Sequence, residues 1–454
     1  MGAGVLGRRR SGALLHLTSL DAALGRGGRA FVDWLAQAGF SVWQFLPLGP
    51  TNADRSPYRA RSDSAGNPSL IDPDEHPPLG TGEHAAFLQS ARGWLEDYAC
   101  FEVLARLHGG APWWSWPPEH RDRHPVALAE VRRGHAEEVK AIEATQFAFA
   151  WQWRRLREYA HGRGVCLLGD LPFYVAPDSA ETWVHRRQFQ LDERGAPRAV
   201  AGVPPDYFST LGQLWGNPLY DWDAMREDGF LFWRTRISSQ LQRVDLLRID
   251  HFRALASHWA VPAGAPDARG GAWKRTPGWM LLRLVRDQLG DLPLVAEDLG
   301  VITPDVEDLR RGFDLPGMRV LQFAFDGSSD NPHLPHMHEH NCVVYTGTHD
   351  NDTARGWLGH LDSETARHVA EYLRLATSAT PEARVDTLVC AALASVGVLA
   401  VVPVQDLLVL GSEARFNTPA TSGGNWGWKL PAGALTSERA AYYLHLNRTY
   451  GRAS

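Results

Sequence analysis

Leu246-Leu247-Arg248-Ile249-Asp250-His251-Phe252-Arg253 is a short apolar strand that ends in charged residues. Side chains alternate across a strand, so Arg248 and Asp250 point to the same side. In an α/β barrel that side is the interior near the C-terminal mouth, where active sites of this architecture lie. An arginine lowers the pKa of a neighbouring carboxylate, which suits a nucleophile. A structural ion pair would give the same pattern, so these residues alone leave both interpretations open.

The same plan of an apolar run, a turn and a helical pattern recurs along the chain, which is typical of parallel α/β folds. Seven runs are clear and an eighth, at residues 70–72, is weaker; together they predict a (β/α)8 TIM barrel. The clear runs are 42–48, 165–171, 244–249, 292–296, 319–325, 342–346 and 398–404. Helices are predicted over 29–37, 146–161, 279–289 and 363–375, with another starting at Thr303-Pro304.

Two intervals, residues 80–133 and 177–233, are too long to be simple connections. We expect them to be subdomains inserted on the barrel loops, the second lining the cleft. The first contains an aromatic, proline-rich turn over residues 112–118 that is expected at the surface. Neither an internal repeat nor a low-complexity linker is present, so a single catalytic unit over residues 1–454 is favoured.

Composition narrows the classes of function. The 46 Lys and Arg against 52 Asp and Glu give a formal charge of −6, which argues against nucleic acid or a membrane as partner. The 18 tryptophans exceed the 11 tyrosines, and flat indole faces stack on sugar rings, although most of them are expected in the core. We find no signal peptide, membrane-spanning run or short Cys/His metal spacing, which predicts a cytoplasmic protein with reduced thiols.

Two later strand ends also carry carboxylates: Glu297 follows residues 292–296, and Asp350 follows residues 342–346. Ionised carboxylates repel one another and are costly to desolvate, so three at one rim argue for function. Glycoside chemistry needs one carboxylate that attacks the sugar and a second, with raised pKa, that protonates the leaving oxygen. Binding of Mg²⁺ or Ca²⁺ is the competing use of such acids, but no Asp-rich loop or phosphate-binding glycine motif accompanies them.

Nine motifs extend this pattern along the chain and carry a resemblance to one family. They are GDLP (169–172), DSAE (178–181), AGVPPDYF (201–208), GQLWGNP (212–218), RIDHFR (248–253), AEDLG (296–300), LPGM (315–318), GTHDNDT (347–353) and GSEAR (411–415). Through them the chain resembles the amylomaltases, which are 4-α-glucanotransferases or disproportionating enzymes of the α-amylase-like barrel superfamily. The likeness runs in order from about residue 15 to residue 430.

The resemblance implies that Asp250 attacks the anomeric carbon, that Glu297 is the acid/base, and that Asp350 grips sugar hydroxyls at the cleavage point. Arg248 and His349 would hold the same sugar or tune the nucleophile. Further positions at which the family binds glucan are Tyr58, Asp206, Tyr207, Phe208, Gln213, Trp215, His251, Asn425 and Trp426. For His251, a packing role in the core is an equal alternative.

The resemblance also implies donors and acceptors that are malto-oligosaccharides and α-1,4-glucans, with no cofactor and no metal. Transfer follows from the family alone, because hydrolysis proceeds through the same covalent intermediate. The alternatives are an α-glucan hydrolase on the same fold and a non-catalytic glucan-binding protein.

Departures from the family pattern lie mainly in residues 56–68, where Arg59, Ala60, Arg61 and Ser64 replace the usual Gln, Ser and Phe. They leave the subsite preference open. Ala420 replaces a usual glycine in the loop that covers the cleft, and we expect it to remove access to positive φ.

Overall fold

The computed structural model describes residues 2–205, 209–376, 378–421 and 423–453. In these residues eight parallel strands form one sheet in the order β6-β7-β8-β1-β2-β3-β4-β5. A backbone hydrogen bond of 2.9 Å from Ala296 N to Pro316 O joins the two edges, so the predicted barrel is confirmed. The strands are β1 (Arg10–Leu14), β2 (Val42–Gln44), β3 (Cys166–Leu171), β4 (Leu246–Ile249), β5 (Leu294–Ala296), β6 (Gly317–Val320), β7 (Cys342–Tyr345) and β8 (Leu399–Pro403).

The predicted strand at residues 70–72 is wrong, because Pro68–Leu70 is a 3₁₀ turn and the missing barrel strand is β1. β1 escapes prediction because Ser11 and Gly12 interrupt its apolar pattern and it has no β-branched residue. Gly12 is required by its neighbour: a Cβ there would lie 2.7 Å from the carbonyl oxygen of Val42 in β2. The run predicted over 319–325 is also shifted, since β6 starts at Gly317 and ends at Val320.

All the predicted helices are present, with bounds that differ by a few residues or, for the one predicted over 146–161, by a longer N-terminal extension. Thr303 is the N-cap of its helix and Pro304 is the first helical residue, as predicted. The α-helices are Gly2–Val5, Arg26–Gln37, Gly82–Leu107, Pro118–Arg121, Pro125–Gly134, Ala136–Gly162, Ala180–Val184, Trp222–Glu227, Leu231–Arg243, Gly278–Leu289, Pro304–Gly312, Ala354–His360, Ser363–Tyr372, Pro381–Ala394, Val404–Leu407 and Ser437–Thr449. Within the described residues, no helix combines the length and apolar character needed to cross a membrane.

The alternation of side chains along the strands divides the barrel residues into two apolar cores and determines where charged residues enter the barrel. One set of side chains packs outward against the helices, for example Leu247 and Ala296. The other set fills the barrel, for example Leu168, Leu246 and Val295. Because the period of a strand is two, the next inward positions after these three are Asp170, Arg248 and Glu297. The apolar interior therefore passes directly into charged groups at the C-terminal mouth.

The long interval over 80–133 packs a separate aromatic core, in which Trp113 and Trp116 are buried beside Phe101 and Trp183. The expectation of a surface turn over 112–118 is therefore wrong for these two indoles, because the helix Gly82–Leu107 supplies apolar partners that local sequence does not show.

The interval over 177–233 contributes Ala199–Val203 and Gln213–Pro218 to a second sheet, which is antiparallel. Its other strands, Ser257–Pro262 and Ala272–Arg275, come from the segment that follows β4, so among the described residues this sheet has four strands. The boundaries of the two inserted subdomains stay a prediction.

Candidate active site

Arg248 lies at the centre of the barrel mouth and binds two carboxylates. Its Nη1 donates to both carboxylate oxygens of Asp170 at 2.7 Å, and its Nη2 lies 3.0 Å from Asp250 Oδ1. Tyr58 adds a hydrogen bond of 2.6 Å from its hydroxyl to Asp170 Oδ2. The side chain of Asp170 is fully buried, whereas that of Asp250 is 29% exposed. The structural ion pair is thus Arg248 with Asp170, and the same arginine also holds the accessible Asp250.

Glu297 lies beside Asp250 on the neighbouring strand. The register of β4 and β5 pairs Ile249 with Ala296, so the residues that follow them are also neighbours. Adjacent strands lie about 4.8 Å apart, so the backbones that carry the two carboxyl groups are close together. The Glu297 carboxylate accepts from the backbone N–H of His251 at 2.7 Å and of Leu299 at 3.0 Å. These bonds fix its direction.

The two carboxyl groups have raised pKa values. Burial raises the pKa of Glu297 to about 8, against the opposing charge of Arg248. Burial also raises the pKa of Asp250 to about 7, with Arg248 opposing this shift and Asp170 adding to it. The expectation that Arg248 sets a low pKa for Asp250 is wrong, because burial outweighs the arginine. Burial thus raises the pKa of both carboxyls, and only Asp250 has the direct contact with Arg248 that opposes the shift.

Asp350 lies in the loop after β7, and neighbouring side chains bind its carboxylate and its backbone. Asn417 Nδ2 donates to Asp350 Oδ1 at 2.6 Å, and His349 Nε2 lies 3.3 Å from the same oxygen. Arg415 Nη2 donates to the backbone oxygen of Asp350 at 2.6 Å. The Asp350 side chain is still 47% exposed, so it can accept further hydrogen bonds from a ligand.

Three aromatic rings lie between Asp350 and the Asp170–Arg248 ion pair. The Tyr58 and His349 rings are stacked at 5.3 Å with an interplanar angle of 16°. Trp426 is tilted against both rings, with centroid distances of 6.0 Å. Tyr58, His349 and Trp426, which the sequence predicted separately, therefore form one surface.

A second aromatic pair includes His251, whose backbone N–H binds Glu297. Trp215 packs edge-on against His251 at 4.8 Å, and its indole N–H donates to Gln213 Oε1 at 3.2 Å. Burial lowers the pKa of His251 to about 3, so this ring is neutral. The remaining predicted residues of this region lie outside the described residues: Asp206, Tyr207 and Phe208.

Asn425 closes the loop that carries Trp426. Its side-chain oxygen accepts from Thr418 N at 2.9 Å, and its amide donates to Thr421 Oγ1 at 3.0 Å. Within this loop Ala420 has a φ of 63°, so the expectation that alanine would remove positive φ here is wrong. The left-handed conformation costs a non-glycine residue about 1 to 2 kcal/mol.

The unusual segment over 56–68 is held by the inserted regions. Arg61 Nε donates to Glu102 Oε1 at 2.8 Å, and its guanidinium lies 5.1 Å from the centre of the Phe101 ring. The Glu181 carboxylate accepts from Ser62 Oγ at 2.7 Å. Arg61 therefore contacts the helix Gly82–Leu107 and not the carboxylates of the mouth.

Asp170 and Asn417 are site residues that the sequence analysis missed. Asp170 carried a usable signal, since it ends β3 at an inward position just as Arg248 does in β4. Asn417 had no such signal, because it lies 67 residues from Asp350 in an irregular segment. In the part of the chain that the structure describes, no group of three or more His, Cys, Asp or Glu residues is arranged to hold a metal ion.

A parallel α/β barrel with two carboxyl groups on adjacent strands at its C-terminal mouth is an arrangement found in barrel enzymes that act on glycosidic bonds. The family model described as 4-alpha-glucanotransferase, glycoside hydrolase family 77, matches residues 15–84 and 76–436. The chain belongs to this family.

Individual relatives agree along the whole chain. The chain is 44% identical to the 4-alpha-glucanotransferase of Thermus thermophilus, over 95% of this chain and 97% of that protein. It is 40% identical to the 4-alpha-glucanotransferase of a Synechocystis species, over 99% of both chains. The amylomaltase from Streptococcus agalactiae, solved in complex with acarbose, superposes with a TM-score of 0.92 at 34% identity, over 98% of this chain and 100% of that one. The resemblance inferred from the sequence is confirmed.

The substitution Asp170→Asn should weaken the fold and lower the pKa of Asp250. Arg248 loses an ionised partner, which typically costs about 3 to 5 kcal/mol of unfolding free energy for a buried pair. The charge of Asp170 also raises the pKa of Asp250, so its removal shifts that titration to lower pH. Urea unfolding and ¹³C NMR of labelled aspartate carboxyls measure the two effects.

Asp298→Asn is the matched control. Asp298 is also buried at the barrel mouth, but its partners are Arg310 at 3.2 Å and Arg319 at 3.5 Å. It should lose stability without moving the pKa of Asp250. An unchanged Asp250 titration in Asp170→Asn would contradict the shared-arginine arrangement.

Proposed function

We propose that the chain is a retaining 4-α-glucanotransferase that moves α-1,4-glucan segments between malto-oligosaccharides. The proposal is supported mainly by two carboxyl groups on adjacent strands. Asp250 forms an ion pair with Arg248, and Glu297 accepts hydrogen bonds from two backbone N–H groups. Family membership favours transfer over the α-glucan hydrolase, and all three predicted acids are present, which disfavours a binding protein without turnover.

In the first step Asp250 attacks the anomeric carbon as the bond to the leaving glucan breaks. Glu297, whose pKa is raised by burial, gives its proton to the leaving oxygen. In the second step the acceptor hydroxyl attacks the same carbon, its proton returns to Glu297, and the Asp250 carboxylate departs. Arg248 stabilises the charge that Asp250 regains.

Asp350 binds hydroxyl groups of the sugar at the cleavage point, with Asn417 and His349 fixing its carboxylate. Two groups of aromatic rings near the carboxyls, the stacked Tyr58 and His349 with Trp426 and the pair of Trp215 and His251, would contact the glucan. Such aromatic faces exclude water and orient an acceptor sugar, which favours transfer. Additional substrate-binding residues of the proposal are Arg248, Asp206, Tyr207, Phe208, Gln213 and Asn425.

The proposed location is the cytoplasm. The four cysteines, Cys100, Cys166, Cys342 and Cys390, are free thiols, which suits a reducing compartment. Malto-oligosaccharides of the cytoplasm would serve as both donor and acceptor.

Incubation with maltotriose alone should yield glucose together with maltotetraose and longer oligomers. The glycosyl group bound to Asp250 is passed to another maltotriose after the leaving sugar departs, so the number of glycosidic bonds is conserved. Chromatography of the products, with a reducing-end assay as control, measures this. Accumulation of only glucose and maltose with rising reducing ends would identify a hydrolase instead.

Asp250→Asn should lower kcat by about a thousandfold or more, because the nucleophile is lost. Binding of maltotriose, measured by calorimetry, should change little, since Asp350 and the aromatic rings remain. Asp223→Asn, an exposed carboxylate on the helix Trp222–Glu227, is the control and should keep wild-type kcat. Retained turnover in Asp250→Asn would remove this residue from the nucleophile role.

The pH dependence of kcat/KM on maltotriose should be bell-shaped. Activity rises as Asp250 ionises, with a pKa of about 7, and falls as Glu297 loses its proton, with a pKa of about 8. α-Maltosyl fluoride carries a leaving group that needs no proton, so the alkaline limb should be absent with this donor. An identical alkaline limb with both donors would argue against Glu297 as the acid.

A further inference from the structure

Trp273 is an exposed tryptophan that packs on Arg253, three residues after Asp250, and the proposed mechanism does not use it. It lies on Ala272–Arg275, the edge strand of the antiparallel sheet, and its side chain is 40% exposed. Large indoles are usually well buried, because they bring much apolar area to a core. An exposed indole that packs on the loop after Asp250 therefore invites a functional explanation.

Arg253 connects Trp273 to both carboxyl-bearing loops. It follows Asp250 by three residues and is itself buried, and its guanidinium carbon lies 3.8 Å from the centre of the Trp273 ring. Its Nη1 donates to the backbone oxygen of Val301 at 2.8 Å. Val301 belongs to the loop after Glu297 and is 61% exposed. The loops that carry Asp250 and Glu297 thus meet at Arg253, and the indole lies over this junction.

The Trp273 ring is held rigidly from the sheet side as well. Trp259, its partner across the strands, lies T-shaped to it at a centroid distance of 5.2 Å and an interplanar angle of 66°. Trp259 is in turn anchored by a hydrogen bond of 2.8 Å from its indole N–H to Ala268 O. In the described part of the chain, the indole N–H of Trp273 makes no hydrogen bond, so it is available as a donor to a ligand.

We propose that Trp273, supported by Arg253, is an outer subsite that stacks a glucosyl ring of a long α-1,4-glucan. The inference rests on the proposed function and adds a contact beyond the sugars bound next to the cleavage point. A rigid indole loses little entropy when a ring stacks on it, and its free N–H can donate to a sugar hydroxyl. The apolar surface of Trp273 and Val301 is far smaller than the roughly 800 Å² per partner of a stable protein interface, which favours a sugar as the occupant.

The test compares donor lengths, from maltotriose to short amylose. Trp273→Ala should lower kcat/KM by about three- to tenfold more for amylose than for maltotriose, since one stacking contact is lost only for chains long enough to reach it. Trp273→Tyr keeps a flat ring on Arg253 and should recover most of the preference for long chains. Melting temperatures of both variants check that the fold is retained.

Trp279→Ala is the matched control. Trp279 is 48% exposed, but it lies on the outer helix Gly278–Leu289 and packs against Phe313. Its removal should leave the ratio of amylose to maltotriose activity unchanged. Equal losses on both substrates in Trp273→Ala would reduce Trp273 to a structural support, and no loss on amylose would exclude the subsite.

A binding measurement separates this inference from the proposed function. In an Asp250→Asn background, which keeps the glucan intact, calorimetry should show weaker amylose binding when Trp273→Ala is added. If the wild-type chain proves not to transfer glucan but this binding difference persists, the outer subsite stands and the transferase proposal fails. If transfer is observed and amylose binding is unchanged by Trp273→Ala, the subsite is wrong.

Discussion

Arg248 is a charged group at the mouth of an apolar barrel, and its partners determine how the rest of the site is arranged. Removing a guanidinium from water is costly unless ionised oxygens surround it. Asp170 provides two such oxygens from the adjacent strand, and Tyr58 secures that carboxylate with its hydroxyl. The remaining Nη2 is then directed at Asp250. A buried structural ion pair and an accessible reactive carboxylate share one arginine, so stability and chemistry are coupled at this residue.

The pairing of parallel strands converts this arrangement into a catalytic geometry. β4 and β5 are in a register that makes Asp250 and Glu297 neighbours, and the left-handed turn at His251, with a φ of 50°, directs its N–H to the Glu297 carboxylate. Partial burial raises the pKa of both acids, and only Asp250 makes a direct contact with Arg248 among the described residues. The two acids therefore differ in their partners over one strand spacing, an arginine for Asp250 and backbone N–H groups for Glu297.

The cleft around these acids is built from segments far apart in the chain. Tyr58 lies before the first long interval, His349 follows β7, and Trp426 comes from a later loop, yet the three rings are in mutual contact. Asn417 holds Asp350 from that same later region. Contacts of this kind depend on the closed barrel, since only closure brings the loops of all strands to one rim.

The local sequence pattern was sufficient to predict those elements whose structure depends on residues that are neighbours in the sequence. The alternation in 246–253 predicted a strand that delivers Arg248 and Asp250 to one side, and the motifs along the chain indicated the family. Two features became visible only in the tertiary structure. One is β1, in which Gly12 is required because the chain approaches Val42 closely, and the other is the role of Asp170 as the second partner of Arg248. The raised pKa of Asp250 was also beyond the sequence, because burial is a property of the folded barrel and outweighs the adjacent arginine. Side-chain alternation and motif spacing can be read from the order of residues in the chain. Closure of the barrel, burial of its carboxyls and the sharing of one arginine between strands arise only when the chain has folded.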